Sequence, residues 1–155
     1  MSSQTASRLK DLGIILPTPA APAANYVPFT QAGNILVISG QLPMVDGKLA
    51  FTGKLGAGVT LETGIEAAKV CAINILAQAN AALGGDLSRV KRVLRLGGFV
   101  ACTADFTQHP QVINGASNLM VEVLGDAGKH ARAAVGVPSL PFDAAVEVDA
   151  MFEIA

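Results

Sequence analysis

The sequence predicts an α+β fold in which two main helices pack on one face of a mixed or mostly antiparallel sheet. Segments rich in β-branched residues and segments with helical apolar spacing follow in the order strand, strand, helix, strand, helix, strand, strand. The last segment alternates apolar and polar residues strictly, so only one of its faces belongs to a core. A length of 155 residues is typical of one domain.

The first 23 residues are predicted to lie outside this domain. Ser3 to Leu12 mixes charged and apolar residues as a short amphipathic helix does, and Gly13 follows it. Residues 17–22 (Pro-Thr-Pro-Ala-Ala-Pro) predict a stiff, extended arm, because each proline fixes its own φ and disfavours helix in the residue before it. We therefore divide the chain into an N-terminal helix with a proline-rich arm, residues 1–23, and a single domain, residues 24–155.

The domain is predicted to begin with a β-hairpin. Tyr26 to Gln31 and Asn34 to Ser39 are β-rich runs, and Ala32-Gly33 between them is a turn. Residues 40–43 (Gly-Gln-Leu-Pro) end the second strand. A tight turn at residues 45–48 and a glycine-rich loop at residues 53–58 follow.

Two helices are predicted from apolar spacing and end signals. The first runs from Leu61 to Leu83, with Thr60 as its N-cap and a glycine pair directly after its end. The second runs from about Pro110 to Leu124, because proline is favoured in a first turn and glycine beyond a last one.

Three further strands complete the predicted sheet. Val90 to Ala101 is a long strand in which Gly97-Gly98 predicts a bulge, and Arg132 to Val137 and Ala145 to Ile154 follow. In the last strand Val146, Val148, Ala150, Phe152 and Ile154 share one face, whereas Ala145, Glu147, Asp149, Met151 and Glu153 share the other.

The composition predicts self-association. Hydrophobic residues make up 51% of the chain and charged residues 15%, against about 25% charged in a typical soluble protein. So few charges cover the surface of a small monomer poorly, and the sheet face without helices needs a partner. Closing several such sheets around a symmetry axis provides that partner and creates clefts between chains.

Charge and segment lengths exclude several classes of protein. A net charge of −1 and a pI near 6.1 disfavour nucleic acid and anionic membranes as partners. The basic cluster of Arg89, Lys91, Arg92 and Arg95 lacks interleaved aromatic residues, so it is interpreted as a solvated strand face. The apolar run of residues 12–16 is too short for a signal peptide, and no apolar segment is long enough to span a membrane, so a cytoplasmic location is expected.

No cofactor or metal motif is present, and neither a metal nor a cofactor is expected. The sequence has no phosphate-binding loop, no dinucleotide fingerprint and no C-x-x-C pair. Cys71 and Cys102 are interpreted as two buried thiols. His109 and His130 lack a neighbouring ligand set, which favours surface or capping roles over catalysis.

Arg132 and Glu147 are the candidate chemical groups of the C-terminal region. Arg132 opens an otherwise apolar strand, and a guanidinium matches two carboxylate oxygens at once. Its alternative is a structural ion pair with Asp149 or Glu153. Glu147 is a candidate for proton handling, and its alternative is a solvent-facing strand residue.

Two further pairs of residues have both a functional and a structural interpretation. Ser39-Gly40 is either a simple strand end or a backbone donor beside a bound anion, where glycine permits close approach. Asn114 and Asn118 lie one helical turn apart and are better explained as a polar helix face.

The motifs resemble those of the reactive intermediate deaminase family, called RidA or YjgF. Asn25-Tyr26, the run from Gly33 to Pro43 with Ser-Gly-Gln-Leu-Pro at its end, and Ala131-Arg132 through Leu140-Pro141 to Val146-Glu147-Val148 carry the resemblance. It covers about residues 24–154 in order, with a short extra segment near His109-Pro110. The N-terminal helix and arm look like the longer branch, often labelled endoribonuclease L-PSP.

The resemblance implies a chorismate-mutase-like sandwich, a homotrimeric barrel and three clefts between subunits. It implies that Arg132 binds the carboxylate of a 2-imino acid and that Glu147 lies near the reacting water. Tyr26, Ser39, Gly40, Asn114 and Ala134 would line the pocket. A cysteine is common in the family where this chain has Ala134, which changes the pocket's shape.

We therefore expect a cofactor-free enamine or imine hydrolase that releases ammonia from small carboxylated imines to give 2-oxo acids. The alternative from another class is a non-catalytic protein that binds a 2-oxo acid or a related metabolite in the same cleft. An endoribonuclease is a third alternative, which the acidic pI and the missing aromatic platform disfavour.

Overall fold

The computed structural model describes residues 3–19 and 24–155. The end of the predicted proline arm, within residues 20–23, lies outside the described residues. The helices are α1 (Ser3–Asp11), α2 (Leu61–Ala82) and α3 (His109–Leu124). The strands are β1 (Phe29–Ala32), β2 (Ile35–Gln41), β3 (Met44–Val45), β4 (Lys48–Leu49), β5 (Lys54–Leu55), β6 (Gly58–Val59), β7 (Val90–Ala101), β8 (Ala131–Val137) and β9 (Val146–Ile154).

The main sheet has five strands in the order β1-β2-β9-β7-β8. All neighbours are antiparallel except β7 and β8, which run parallel because α3 connects them as a crossover. The two short pairs, β3 with β4 and β5 with β6, lie outside this sheet. The predicted mixed, mostly antiparallel sheet is confirmed.

The helices form where their end signals predicted. The Thr60 hydroxyl accepts a hydrogen bond from the Thr63 backbone N–H at 3.1 Å, which caps the free first turn of α2. After α2, Gly84 and Gly85 adopt φ values of 65° and 89°, a conformation that glycine takes without strain. Pro110 lies in the first turn of α3, where its missing N–H costs nothing.

The two long helices cover one face of the sheet and enclose the core. The buried side of β9 consists of its alternate apolar residues, all at most 3% exposed, as the strict alternation predicted: Val146, Val148, Ala150, Phe152 and Ile154. Gly115 of α3 lies so close to the Ile65 carbonyl of α2 that a Cβ there would overlap it. The backbones of α2 and α3 therefore lie in close contact with each other, and the two helices together cover the sheet.

The predicted bulge at Gly97-Gly98 is wrong. Both glycines pair in regular register with β8 and β9, and the irregularities of β7 lie earlier, between Val90 and Arg92 and between Val93 and Arg95. The glycines instead leave room for neighbouring side chains. A Cβ on Gly98 would lie 2.5 Å from Ile113 Cγ1, and one on Gly97 would overlap Asp149.

The first strand is shorter than predicted. It begins at Phe29 rather than Tyr26, and the second strand contains an irregularity between Ile38 and Gln41. This break displaces Ser39 and Gly40 from the ladder with β9. The chain around Tyr26 is attached to β2 through Ser39, whose backbone N–H donates to the Pro28 carbonyl at 2.9 Å.

Candidate active site

The predicted site residues lie on opposite faces of the sheet. Arg132 of β8 pairs with Leu96 of β7, and Leu96 pairs with the buried Ala150 of β9, so Arg132 points to the helix side. Glu147 pairs with Phe99, which is three residues from Leu96 in β7. Because side chains alternate between the two faces, Glu147 points to the side without helices. Within one chain the arginine and the carboxylate therefore do not meet.

Arg132 is held on the helix side by two side chains of α3. Its Nη1 donates to Asn114 Oδ1 at 2.8 Å and to Ser117 Oγ at 3.2 Å. Among the described residues no carboxylate pairs with it, and Asp149, its proposed structural partner, bonds Arg95 at 3.4 Å instead. The edge formed by Nε and Nη2 remains available for a carboxylate that approaches in the plane of the guanidinium.

A cavity of about 310 Å³ opens beside Arg132. Its lining combines cationic, amide and hydroxyl groups with one apolar side chain: Asn114, Ser117, Asn118, Val121, Lys129, His130 and Arg132. None of these lining residues carries a carboxylate. The field in the cavity therefore favours an anionic ligand.

His130 and Ser117 form a hydrogen-bonded pair in the same cavity. The His130 Nδ1 lies 2.6 Å from the Gly128 carbonyl, which can only accept, so Nδ1 carries the proton. In the neutral ring Nε2 is then an acceptor, and the Ser117 hydroxyl donates to it at 2.8 Å. His130 is half-buried, and both of its ring nitrogens are hydrogen-bonded. Its contact with the Gly128 carbonyl is compatible with the capping role predicted for it.

Glu147 stands beside the irregularity of β2 on the other face. A Cβ on Gly40 would lie 2.9 Å from Glu147 Cδ and 3.0 Å from its Oε2. Any larger residue at position 40 would therefore displace the carboxylate. Burial raises the pKa of Glu147, and the nearby Asp149 raises it further. A raised carboxyl pKa is typical of groups that exchange protons near neutral pH.

The other predicted pocket residues divide between the two faces. The Ser39 hydroxyl donates to the Val27 carbonyl at 2.8 Å, which ties the segment of the 59% exposed Tyr26 to the Glu147 side. Ala134 pairs with Gly98, so it shares the Arg132 side, where Asn114 also lies. Each face thus carries part of the predicted site.

Within the described residues, the two cysteines and the second histidine make no hydrogen bond to Glu147 or to the residues that line the Arg132 cavity. Cys71 is fully buried, and burial, followed by the charge of Glu147, raises its pKa well above the ordinary value. Cys102 is also buried, and its Sγ lies 3.4 Å from His109 Nε2. The described part of the chain contains no cluster of three side chains able to ligate a metal ion.

Comparisons with known proteins agree with this architecture. A family model described as YjgF/chorismate-mutase-like, putative endoribonuclease matches residues 6–154. The chain belongs to the YjgF family. The YjgF protein of Escherichia coli, 21% identical, shares the fold with a TM-score of 0.63 over 88% of this chain and 93% of that one.

Closer relatives of this YjgF family member span nearly the whole chain. Protein Atu1372 of Agrobacterium tumefaciens, solved as a protein of unknown function, is 56% identical with a TM-score of 0.92, covering 97% of this chain and 92% of that one. Protein TCP17 of Trypanosoma cruzi is 51% identical over 154 residues, 99% of this chain and 96% of its own. A Shewanella oneidensis protein solved as a putative endoribonuclease is 36% identical with a TM-score of 0.94, covering 98% and 100%.

Sequence reasoning missed Ser117 and His130 as members of the site. They lie 13 residues apart on different elements, and no short motif joins them. The one available signal was His130-Ala131-Arg132, since alternate residues of a strand share a face. That spacing predicts that His130, directly before β8, shares a side with Arg132, and both line the same cavity.

Proposed function

We propose that this YjgF family member is an imine or enamine hydrolase that converts small carboxylated imines and water into 2-oxo acids and ammonia. The observation that carries the proposal is Arg132, which lines an anion-favouring cavity and whose Nη1 is anchored by α3, whereas Nε and Nη2 make no hydrogen bond within the described residues. The edge of a guanidinium formed by Nε and Nη2 binds a planar carboxylate with two parallel hydrogen bonds. A 2-imino acid carries its reacting carbon directly next to that carboxylate.

Glu147 is proposed to handle the proton in this reaction. Its carboxylate accepts a proton from a water molecule as the water oxygen adds to the imine carbon, and it passes that proton to the imine nitrogen. The C–N bond of the resulting carbinolamine then breaks as its hydroxyl proton moves, again through Glu147, to the nitrogen, which leaves as ammonia. Burial beside Gly40 raises its pKa toward the range in which a general base and acid work at neutral pH. Positioned proton transfer contributes about 10²–10⁴ in rate.

The proposed site is completed between two copies of the chain. Arg132, Asn114 and Ala134 lie on the helix side of β8, at the sheet edge, whereas Ser39, Gly40 and Glu147 lie on the face without helices. That uncovered face exposes Val37 and Val135, which an oligomer would bury. A cytoplasmic homotrimer in which the β8 edge of one chain meets the Glu147 face of the next brings the two half-sites together.

The test is ammonia release from imines generated in the assay by an amino-acid oxidase, with and without the protein. We expect the protein to accelerate release and Arg132→Ala to abolish the acceleration. His109→Gln, which changes the histidine outside the cavity, is the matched control and should behave like the parent.

A contrary result would favour the alternative function. If the parent binds 2-oxo acids but accelerates release from none of the imines supplied, the protein is a metabolite-binding protein and the hydrolase assignment is wrong. The anchored guanidinium of Arg132 supports that binding function as well.

A further inference from the structure

Ser117 helps to hold Arg132, but the hydrogen bond between Ser117 and His130 takes no part in the imine hydrolysis proposed above. Serine within a helix commonly bonds the carbonyl one turn earlier, but here its hydroxyl is directed to His130 Nε2 at 2.8 Å. The Gly128 carbonyl holds the opposite ring nitrogen at 2.6 Å and fixes the tautomer that can take a proton from Ser117. This is the arrangement of a nucleophile, a base and a group that orients the base.

The surroundings of Ser117 fit a transition state with negative charge. Arg132 Nη1 lies 3.2 Å from Ser117 Oγ, close enough to donate to an oxyanion that forms on an attacked carbonyl. Lys129 and Arg132 supply the formal charges of the cavity lining, and both are cationic. The only ion pair of Lys129 within the described residues is with Asp126, at 3.1 Å, where both side chains are largely exposed.

We propose that Ser117 is an acyl-accepting nucleophile with His130 as its general base, which gives the protein a second activity, hydrolysis of small esters that carry a carboxylate. The open cavity of about 310 Å³ has room for a small acyl group, and its positive charge favours an anionic one. The proposal does not require the imine hydrolysis, because the two reactions use different nucleophiles and release different products.

Each step of the reaction balances within the cavity. The Ser117 oxygen attacks the ester carbonyl carbon while its proton passes to His130 Nε2, and the ester C–O bond then breaks as the alcohol leaves with that proton. Water next attacks the acyl-serine and gives a proton to His130. The carboxylic acid departs, and the proton on His130 returns to the serine oxygen.

The experiment measures hydrolysis of mono-4-nitrophenyl succinate, an anionic ester, and of 4-nitrophenyl acetate, a neutral one, by the full-length protein. We expect the parent to prefer the anionic ester and to lose about 100-fold or more of its rate in Ser117→Ala and in His130→Gln. Ser139→Ala, at an exposed serine outside the cavity, and His109→Gln are the matched controls and should retain the parent rate.

Mass spectrometry of protein quenched during turnover supplies a second readout. We expect one succinyl group on the peptide that contains Ser117, and none in Ser117→Ala. The proposal is overturned if Ser117→Ala hydrolyses the anionic ester at the parent rate, or if the acyl group is found on another residue. His130→Gln should still bind 2-oxo acids through Arg132, so the ester and imine results are independent of each other.

Discussion

At the scale of single residues, Arg132 is the group on which ligand binding is expected to depend. Replacement by alanine removes both hydrogen bonds of the open edge and the charge, at a cost of about 2–5 kcal/mol, or roughly 30- to several-thousand-fold in affinity for 2-oxo acids. Arg132→Lys should recover part of the affinity, because lysine restores the charge but not the planar fork. Isothermal titration calorimetry with a 2-oxo acid measures the affinity of both variants. Unchanged binding by Arg132→Ala would mean that Arg132 has only a structural role.

Glu147 is expected to control turnover rather than affinity. Glu147→Gln keeps the shape but cannot accept a proton, so turnover should fall by about 10²–10⁴ while 2-oxo acid affinity changes little. Because burial raises the pKa of Glu147, the parent rate should rise as the pH increases through that raised value. A pH–rate profile that is the same for Glu147→Gln and the parent would exclude Glu147 as the base.

The same pKa has a consequence for stability. The folded protein binds the Glu147 proton more tightly than the unfolded chain, since the folded pKa is raised. The stabilisation that results is complete below the ordinary glutamate pKa and is lost as the pH rises through the folded pKa. Glu147→Gln should therefore lose less stability than the parent between mildly acidic and neutral pH, as measured by urea unfolding at several pH values.

Gly40 provides a test of the position of Glu147. A Cβ there would lie 2.9 Å from Glu147 Cδ, the end of a flexible side chain, so Gly40→Ala should displace the carboxylate without unfolding the protein. We expect a loss of about 100-fold in turnover, the effect of a misplacement near 1 Å. Gly98→Ala meets the buried Ile113 instead and should lower the thermal midpoint. Equal turnover of Gly40→Ala and the parent would show that the space left by Gly40 does not affect the reaction.

At the scale of elements, the basic cluster on and before β7 bears on the endoribonuclease label of some relatives. Arg89, Lys91, Arg92 and Arg95 are all exposed, as predicted, and Arg95 is partly neutralised by Asp149. We expect no RNA binding tighter than about 10⁻⁵ M at physiological salt, within the range of non-specific affinities. A tight complex that weakens steeply with salt, measured by fluorescence anisotropy, would support a ribonuclease instead.

Local patterns were sufficient to predict the long helices and the main-sheet strands, but not the short strands β5 and β6 within the predicted loop of residues 53–58, nor every contact between elements. The helix predicted over residues 61–83 was found over Leu61–Ala82, because its apolar spacing and both end signals lie within the segment itself. The bulge predicted at Gly97-Gly98 was wrong because glycine marks either a bulge or a close approach, and only the packing of Ile113 decides between them. The bond between Ser117 and His130 likewise depends on how α3 packs on β8, which no local pattern contains.

A membrane span is distinguished by the length and apolar character of its helix. None of the helices in the described ranges is long and apolar enough to cross a bilayer.

The exposed valines of the uncovered sheet face bear on assembly. Val37 and Val135 are 39% and 45% exposed there, although the opposite face is closed by α2 and α3. We expect the chain to be a trimer at micromolar concentration, because association buries this face and completes the proposed site. Light scattering that gives the mass of a monomer would contradict both the assembly and the shared site.

The most direct test of the central claim, that each site combines Arg132 of one chain with Glu147 of another, is to mix inactive subunits. Arg132→Ala and Glu147→Gln are unfolded together in equal amounts, refolded, and assayed for ammonia release. Random assembly leaves about a quarter of the clefts with both native residues, so we predict activity near a quarter of the parent. Mixed trimers that are seen by native mass spectrometry but are no more active than either variant alone would contradict the shared site.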